Sequence, residues 1–328
     1  MVQKFQIFNT NKLKNMKFST RVNGKLLLTG EYFVMDGATA LALPTRYGQK
    51  MSATDGNELG ILHWQSFDHE NTCWFDGKFS LNDFSILGAK ENESQKIAEQ
   101  LQKILQAARA QNAKFLTDAP NGVHVATDLE FPRNWGLGSS STLVTMMAEW
   151  AGINPYELLE ATFKGSGYDI AAALAPGPIV YRRFHGRPQS EIAAFNPDFR
   201  HQLYFVYLNQ KQDSREALVQ YMVTPPDERQ VPLPRITQIT LNVAQYTQTL
   251  EEFEELMEEH EELVQSVLKQ PRAKERFFSD FWGTVKSLGA WGGDFVLVTS
   301  NEPEEKTRQY FAEKGFDTVI AYDEMILH

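Results

Sequence analysis

The chain has 328 residues, 42% hydrophobic and 23% charged, the make-up of a globular protein with room for one large domain or two of middling size. A formal net charge of -10 and a pI near 5.3 argue against nucleic acid or an anionic membrane as the main partner, since both reward a basic surface. Cys73 is the single cysteine, which excludes an intrachain disulfide and a cysteine-built zinc or iron–sulfur site, and no apolar run reaches the roughly 18 residues of a membrane span, so a cytoplasmic protein is expected.

In chain order, residues 1–16 form a polar leader rich in Asn and Lys, expected to be disordered and left out of the fold argument. Val22 to Leu28 reads as a strand, followed by a turn at Asp36-Gly37 and an apolar run closed by Pro44. Between Tyr47 and Phe79, short β-rich pieces separated by Asp55-Gly56 and Asp76-Gly77 predict an antiparallel meander. Residues 94–110 place Ile97, Leu101, Ile104, Leu105 and Ala108 on one helical face, with Ser94 as N-cap. After a strand in GVHVATDLEFP comes GLGSSS, residues 136–141, opening a helix that stops at Gly152. Asn154-Pro155 with Glu157 starts a second helix, and GSGYDIAAALAPG a third, with Asp169 in its first turn.

Past residue 187 strands and helices alternate in an α+β pattern, with two long helices at about 235–249 and 251–269. The second carries eight glutamates between Glu251 and Glu262, while Leu250, Phe253, Met257 and Val264 repeat on the opposite face, so the glutamates read as a solvated surface.

The chemistry points to the small-residue loops. A helix N-terminus leaves its first N–H groups unpaired and partly positive, so glycines and serines placed there make a phosphate cradle, although plain capping by Ser139 to Ser141 would also account for the serines. The known alternatives are missing: no GxxxxGK[ST], no GxGxxG after a strand, no protein-kinase HRD and DFG set, no HExxH and no GxSxG. The seven histidines have no metal-ligand spacing. Four small-residue segments remain: VNGKLLLTGEY (22–32), PRNWGLGSSST (132–142), GSGYDIAAA (165–173) and SLGAWGGDFVLV (287–298).

In order and spacing these four segments resemble the signature regions of the GHMP kinase superfamily, in a GYDIA form nearest in flavour to the mevalonate and phosphomevalonate kinases. The resemblance spans residues 17–328 and implies a two-domain α+β fold: an N-terminal ATP-binding domain (17–187) with a mixed sheet, a ferredoxin-like C-terminal domain (188–328), and an active site in the cleft between them. It implies an ATP- and Mg²⁺-dependent kinase acting on a small acidic acceptor, with no nucleic-acid or membrane partner. Gly136, Leu137, Gly138, Ser139, Ser140 and Ser141 would be the ATP loop, with Ser140 the hydroxyl ligand of Mg²⁺. Asp169 would face the acceptor and Lys25 would lie against it, compensating charge as the phosphoryl group moves. Glu31, Tyr32, Gly289, Ala290, Trp291 and Gly292 would border the acceptor; Arg46, Arg133 and Arg182 or Arg183 are candidates to grip its acid, and Glu149 or Asp294 to add a carboxylate for Mg²⁺.

Two positions depart from the pattern. Asn23 stands where the family usually has proline, and Trp291 interrupts the third motif's glycine run, which puts the acceptor's identity in question. The readings that remain open are a 5-phosphomevalonate or mevalonate kinase, a sugar or sugar-phosphate kinase, and a non-catalytic metabolite-binding regulator of the same fold.

Overall fold

The computed structural model describes residues 16–89, 93–119, 121–210, 214–289, 291 and 293–328. The leader, apart from Met16, and the acceptor candidates Ala290 and Gly292 lie outside the described residues. In chain order the first elements are β1 (Met16–Thr29), β2 (Ala40–Asp55), β3 (Ile61–Phe67), β4 (Cys73–Ser80), β5 (Ile86–Ala89), α1 (Glu93–Gln111) and β6 (Val123–Leu129). Next come α2 (Ser139–Ala151), α3 (Pro155–Thr162), α4 (Tyr168–Leu174), β7 (Ile179–Phe184), β8 (Arg187–Ile192) and β9 (Leu203–Tyr207). A helical run follows: α5 (Ser214–Val223), α6 (Pro226–Gln230), α7 (Leu233–Gln245), α8 (Leu250–Leu268) and α9 (Ala273–Phe277). The chain closes with β10 (Val285–Ser287), β11 (Phe295–Thr299), α10 (Glu304–Glu313), β12 (Val319–Ala321) and α11 (Tyr322–Met325).

Two compact units result, each discontinuous in sequence. The first gathers the described residues through Val22, then Gln49–Glu130 and Leu143–Phe163. Its strands run in the order β5-β4-β3-β6-β2, mixed because β3 and β6 are parallel while the other neighbours are antiparallel. Burial alternates residue by residue along β3 and β6, as a strand with one covered face requires. Helix α1 packs on β4 and β5 and buries Ala98, Leu101, Ile104, Leu105 and Ala108. It begins at Glu93, so Ser94 lies inside its first turn rather than capping it, and Ala98 takes the buried place expected of Ile97. The expected Asp76-Gly77 turn is the middle of β4: Gly77 pairs with Trp64, and a Cβ there would meet the Phe75 ring at 2.6 Å. The reversal falls instead at Asp68, whose Oδ1 accepts from the N–H groups of Glu70 and Thr72.

The second unit gathers Asn23–Gly48, Phe131–Thr142 and Lys164–His328. The first half of β2 pairs with β7, which forms a hairpin with β8. Ala171 and Ala172 of α4 and Ala175 just beyond its end pack with Ala40 and Ala42 of β2 and Leu27 of β1, mostly small residues that let helix and strand approach closely. A second sheet of order β10-β11-β9-β12 is antiparallel throughout. Its strands bury Tyr204, Val206, Val285, Val296 and Val298 with Phe278, Phe281 and Phe311. Thr249 opens α8 with a capping box to Glu252, and Phe253, Met257, Val264 and Val267 form its buried stripe. The architecture is α+β, a larger mixed sheet and a smaller antiparallel one, each with helices.

Candidate active site

The residues of three expected motifs meet within the second unit, around the loop that precedes α2. Strand β1 is pinned to this loop: Lys25 N–H donates to Leu137 O at 2.9 Å, and a Cβ on Gly24 would come within 2.9 Å of the same oxygen. Gly136 (φ +67°) and Gly138 (φ +88°) both adopt left-handed backbone that disfavours other residues. A Cβ on Gly136 would sit 2.3 Å from the Asp294 carboxylate; on Gly138 it would sit 2.8 Å from Ser141 Oγ and 2.9 Å from Lys25 Cε. The loop is therefore clasped between a lysine and an aspartate, with no room for side chains on the two glycines.

The three serines divide their work. Ser141 is buried and donates to Gly138 O at 2.7 Å, while Ser139 O accepts from Thr142 Oγ1 at 2.9 Å. Ser139 is half-buried and Ser140 exposed, in the first turn of a helix whose partial positive charge favours an anion. Ser141 thus ties the first turn back onto the loop carbonyl and leaves Ser140 facing outward.

Lys25 is half-buried, its Nζ 3.3 Å from Gly136 O and 5.7 Å from the Tyr168 ring centre. Burial opposes its charge, but Tyr168, Asp169 and Asp294 outweigh that and hold its pKa above the ordinary lysine value. Asp169 sits in the first turn of α4, one residue after Tyr168. Burial raises its carboxyl above the usual range, and Lys25 offsets only part of the rise, a combination that makes a stronger base than an exposed aspartate. Where proline is usual, Asn23 donates from Nδ2 to Ala175 O at 3.3 Å, tying β1 to the C-terminal end of the helix that carries Asp169. Asp294 is 7% exposed in a left-handed conformation (φ +56°) fixed by backbone bonds to Gln210 and Leu208. Of the two acidic candidates for a cation, Asp294 is the one at the loop; Glu149 belongs to the first unit and accepts from Thr20 Oγ1 at 2.6 Å.

On the expected acceptor side, Glu31 is buried and bonded to Lys286, and Tyr32 is buried with its Oη accepting the Trp291 N–H at 2.8 Å. The Trp291 indole lies among Tyr32, Phe33, Tyr221 and Val264. Gly289 (φ +64°) has open space where a Cβ would stand. Arg182 and Arg183 are engaged in the β7–β8 hairpin, with Gln189 and Gly186 O; Arg46 and Arg133 are exposed. The sequence reading did not single out Lys286, Glu261 and His260, all fully buried beside Glu31, nor Arg229, which pairs with Asp36 at 3.1 Å over the Tyr221 ring. One signal for Glu261 was available: it falls in step with Met257 and Val264 on the apolar stripe of α8, where a solvated glutamate does not belong.

No protein-family model matches the chain, and no curated protein sequence matches it. Solved structures do. The chain is similar to the mevalonate kinase of Methanococcus jannaschii, TM-score 0.67 at 15% identity, over 92% of this chain and 96% of that one. It is similar to the Streptococcus pneumoniae phosphomevalonate kinase in complex with phosphomevalonate and AMPPNP, TM-score 0.66 at 15% identity, over 92% and 99%. The Lactococcus lactis galactokinase complexed with galactose aligns over 95% and 94% at 10% identity, TM-score 0.61. The chain has the GHMP kinase fold.

Proposed function

We propose that the protein is a kinase that transfers the γ-phosphoryl group of Mg-ATP to a small acidic acceptor, 5-phosphomevalonate or mevalonate. The observation that carries the reading is the convergence of Lys25, Asp294 and Asp169 around the loop at the start of α2. Phosphoryl transfer asks little covalent chemistry of the protein; it asks for anion binding, charge compensation and a placed acceptor. The first turn of α2, with Ser140 exposed, supplies the first, Lys25 the second and Asp169 the third.

With a hydroxyl acceptor, the acceptor oxygen bonds to the γ-phosphorus as the bond to the β-phosphate oxygen breaks, and the hydroxyl proton passes to Asp169. With a phosphate acceptor the attacking oxygen is already ionised, so Asp169 orients it and takes no proton. Ser140 and Asp294 would hold Mg²⁺: a hydroxyl and a carboxylate are the hard oxygen donors this cation prefers, and both lie at the loop. Bound there, the cation would neutralise phosphate charge. Among the described residues no helix is long and apolar enough to cross a membrane, which fits a small-molecule enzyme of the cytoplasm.

Mevalonate and phosphomevalonate are favoured over sugars by GKLLLTGEY at residues 24–32 and GSGYDIAAA at 165–173, the segments most like those two kinases. The test is ADP release from Mg-ATP with mevalonate, 5-phosphomevalonate and a panel of sugars and sugar phosphates, repeated with Asp169→Asn. Turnover on one acceptor that falls about 100-fold or more in the mutant is expected, the lower end of what general-base catalysis contributes. ATP binding without turnover on any acceptor would instead favour a regulator.

A further inference from the structure

Three consecutive residues after β1 are each tied to a later part of the second unit. Gly30 N–H donates to His260 Nε2 at 2.9 Å, Glu31 Oε1 accepts from Lys286 Nζ at 2.6 Å, and Tyr32 Oη accepts the Trp291 N–H. Tyr32 itself holds a φ of +61°, a conformation a tyrosine keeps only when its surroundings impose it. Glu31, His260, Glu261 and Lys286 are each 1% exposed or less.

The hydrogen-bond geometry decides where the protons are. His260 Nε2 accepts from Gly30, so the ring is neutral and its proton sits on Nδ1. Glu31 Oε2 has no donor and lies 3.3 Å from that same accepting nitrogen. Glu261 is placed differently: its Oε1 has no hydrogen bond but lies 3.2 Å from the Lys286 ammonium in an ion pair, and its Oε2 accepts from Ser287 Oγ at 3.0 Å, so neither oxygen faces a lone pair as Glu31 Oε2 does. A proton on Glu31 Oε2 turns a lone-pair clash into an attraction. It also leaves one lysine and one carboxylate buried together, instead of a net negative cluster with nothing to balance it. The groups facing Glu31 are Lys286 from β10, His260 and Glu261 from α8, Tyr168 from α4, and neighbouring Tyr32. Burial raises the Glu31 carboxyl to about 7 with Lys286 pulling the other way, and drives His260 well below the imidazole range.

We propose that Glu31, as a neutral acid, is a positioning residue: with Lys286, Glu261 and His260 it holds residues 30–32 in the shape that seats Trp291, and loss of its proton loosens that seat. The link from Trp291 to the acceptor rests on the kinase reading; the seating of Trp291 does not. A carboxylate at Glu31 would repel His260 Nε2 and Glu261 together, and the segment that yields, residues 30–32, is the one whose tyrosine holds the Trp291 backbone.

The test is a pH titration of the full chain labelled with 5-fluorotryptophan. The chain has six tryptophans, and the Trp291 fluorine resonance is identified by its loss in Trp291→Phe. The expected result is one inflection near 7 for Trp291, absent in Glu31→Gln, which mimics the protonated acid. In Lys286→Met the inflection moves upward, because the cation that favours ionisation is gone; should that variant not fold, the isosteric glutamine carries the test. A Trp291 signal that does not titrate, or one that still titrates in Glu31→Gln, overturns the proposal. With an acceptor in hand, the parent's acceptor KM rises several-fold over the same inflection while its ATP KM holds, and Glu31→Gln lacks the rise. If no acceptor is turned over the kinase reading fails, and the titration still decides this proposal.

Discussion

Gly138→Ala tests whether the loop before α2 is as tightly built as its geometry indicates. The new methyl would stand 2.8 Å from Ser141 Oγ and 2.9 and 3.1 Å from the Cε and Cγ of Lys25, on a residue whose φ is +88°. Neither neighbour yields freely. Ser141 Oγ is held by its 2.7 Å bond to Gly138's own carbonyl, and the lysine is fastened at its N–H by Leu137 O and at its tip by Gly136 O. The left-handed backbone costs about 1 to 2 kcal/mol for a residue with a Cβ, and overpacking adds about 1 to 3. Because the Lys25 stem can bend, the lower half of the sum applies, about 2 to 3 kcal/mol.

Gly37→Ala separates the two costs, since Gly37 has a φ of +99° but nothing within 4 Å of its missing Cβ. The assays are urea unfolding and Mg-ATP binding by calorimetry. Gly138→Ala should lose more stability than Gly37→Ala, or weaken Mg-ATP binding about tenfold or more where the loop gives way instead, at roughly 1.4 kcal/mol per tenfold. Equal behaviour of the two variants in both assays would refute the close-packing argument.

Two further outcomes follow from the same geometry. Asp294→Asn removes the carboxylate that faces Gly136 and supports the charge of Lys25, so the Mg²⁺ concentration for half-maximal turnover should rise about tenfold; superimposable Mg²⁺ titrations would refute its role at the cation. For stability against pH, the raised Glu31 contributes stability that is present below its ordinary 4.5 and lost as pH climbs to about 7, while the depressed His260 contributes stability that is present above 6.5 and lost below it. Below 6.5 the proton His260 releases on folding opposes the one Glu31 takes up, so the parent alone does not isolate the acid; the difference between Glu31→Gln and the parent should grow by about 3 kcal/mol in favour of glutamine from pH 4.5 to above 7, and a constant difference in urea midpoints would refute it.

Much of this was legible because local chemistry and tertiary structure agree. Asn154-Pro155 with Glu157 announces α3, and Asn154 does accept from Tyr156 N–H at the helix start. Asp76-Gly77 misleads because the signal for a turn and the need for a glycine are separable: the position needs glycine for the Phe75 ring, not for a reversal. The loop glycines, Lys25 and Asp169 are legible as residue types, but the contacts that join them run from Lys25 to the 136–138 loop and from Asp294 back to Gly136, separations no periodicity encodes.

The α8 glutamates show where composition stops being a guide. A helix with that many carboxylates reads as solvated, and for most of its length it is, yet one register position turns Glu261 inward with Met257 and Val264, and His260 beside it. A buried carboxylate requires a cation, and Lys286 answers it from a strand whose sequence neighbours are the glycines of the third motif. That pairing changes what Trp291 means. As sequence it is a bulky residue set among glycines, expected to narrow the acceptor pocket. In the fold it is buried in one cluster with Tyr32, Phe33 and Tyr221, so any hold on an acceptor would pass through the bond from its N–H to Tyr32 Oη and through the acid proposed to keep Tyr32 in place.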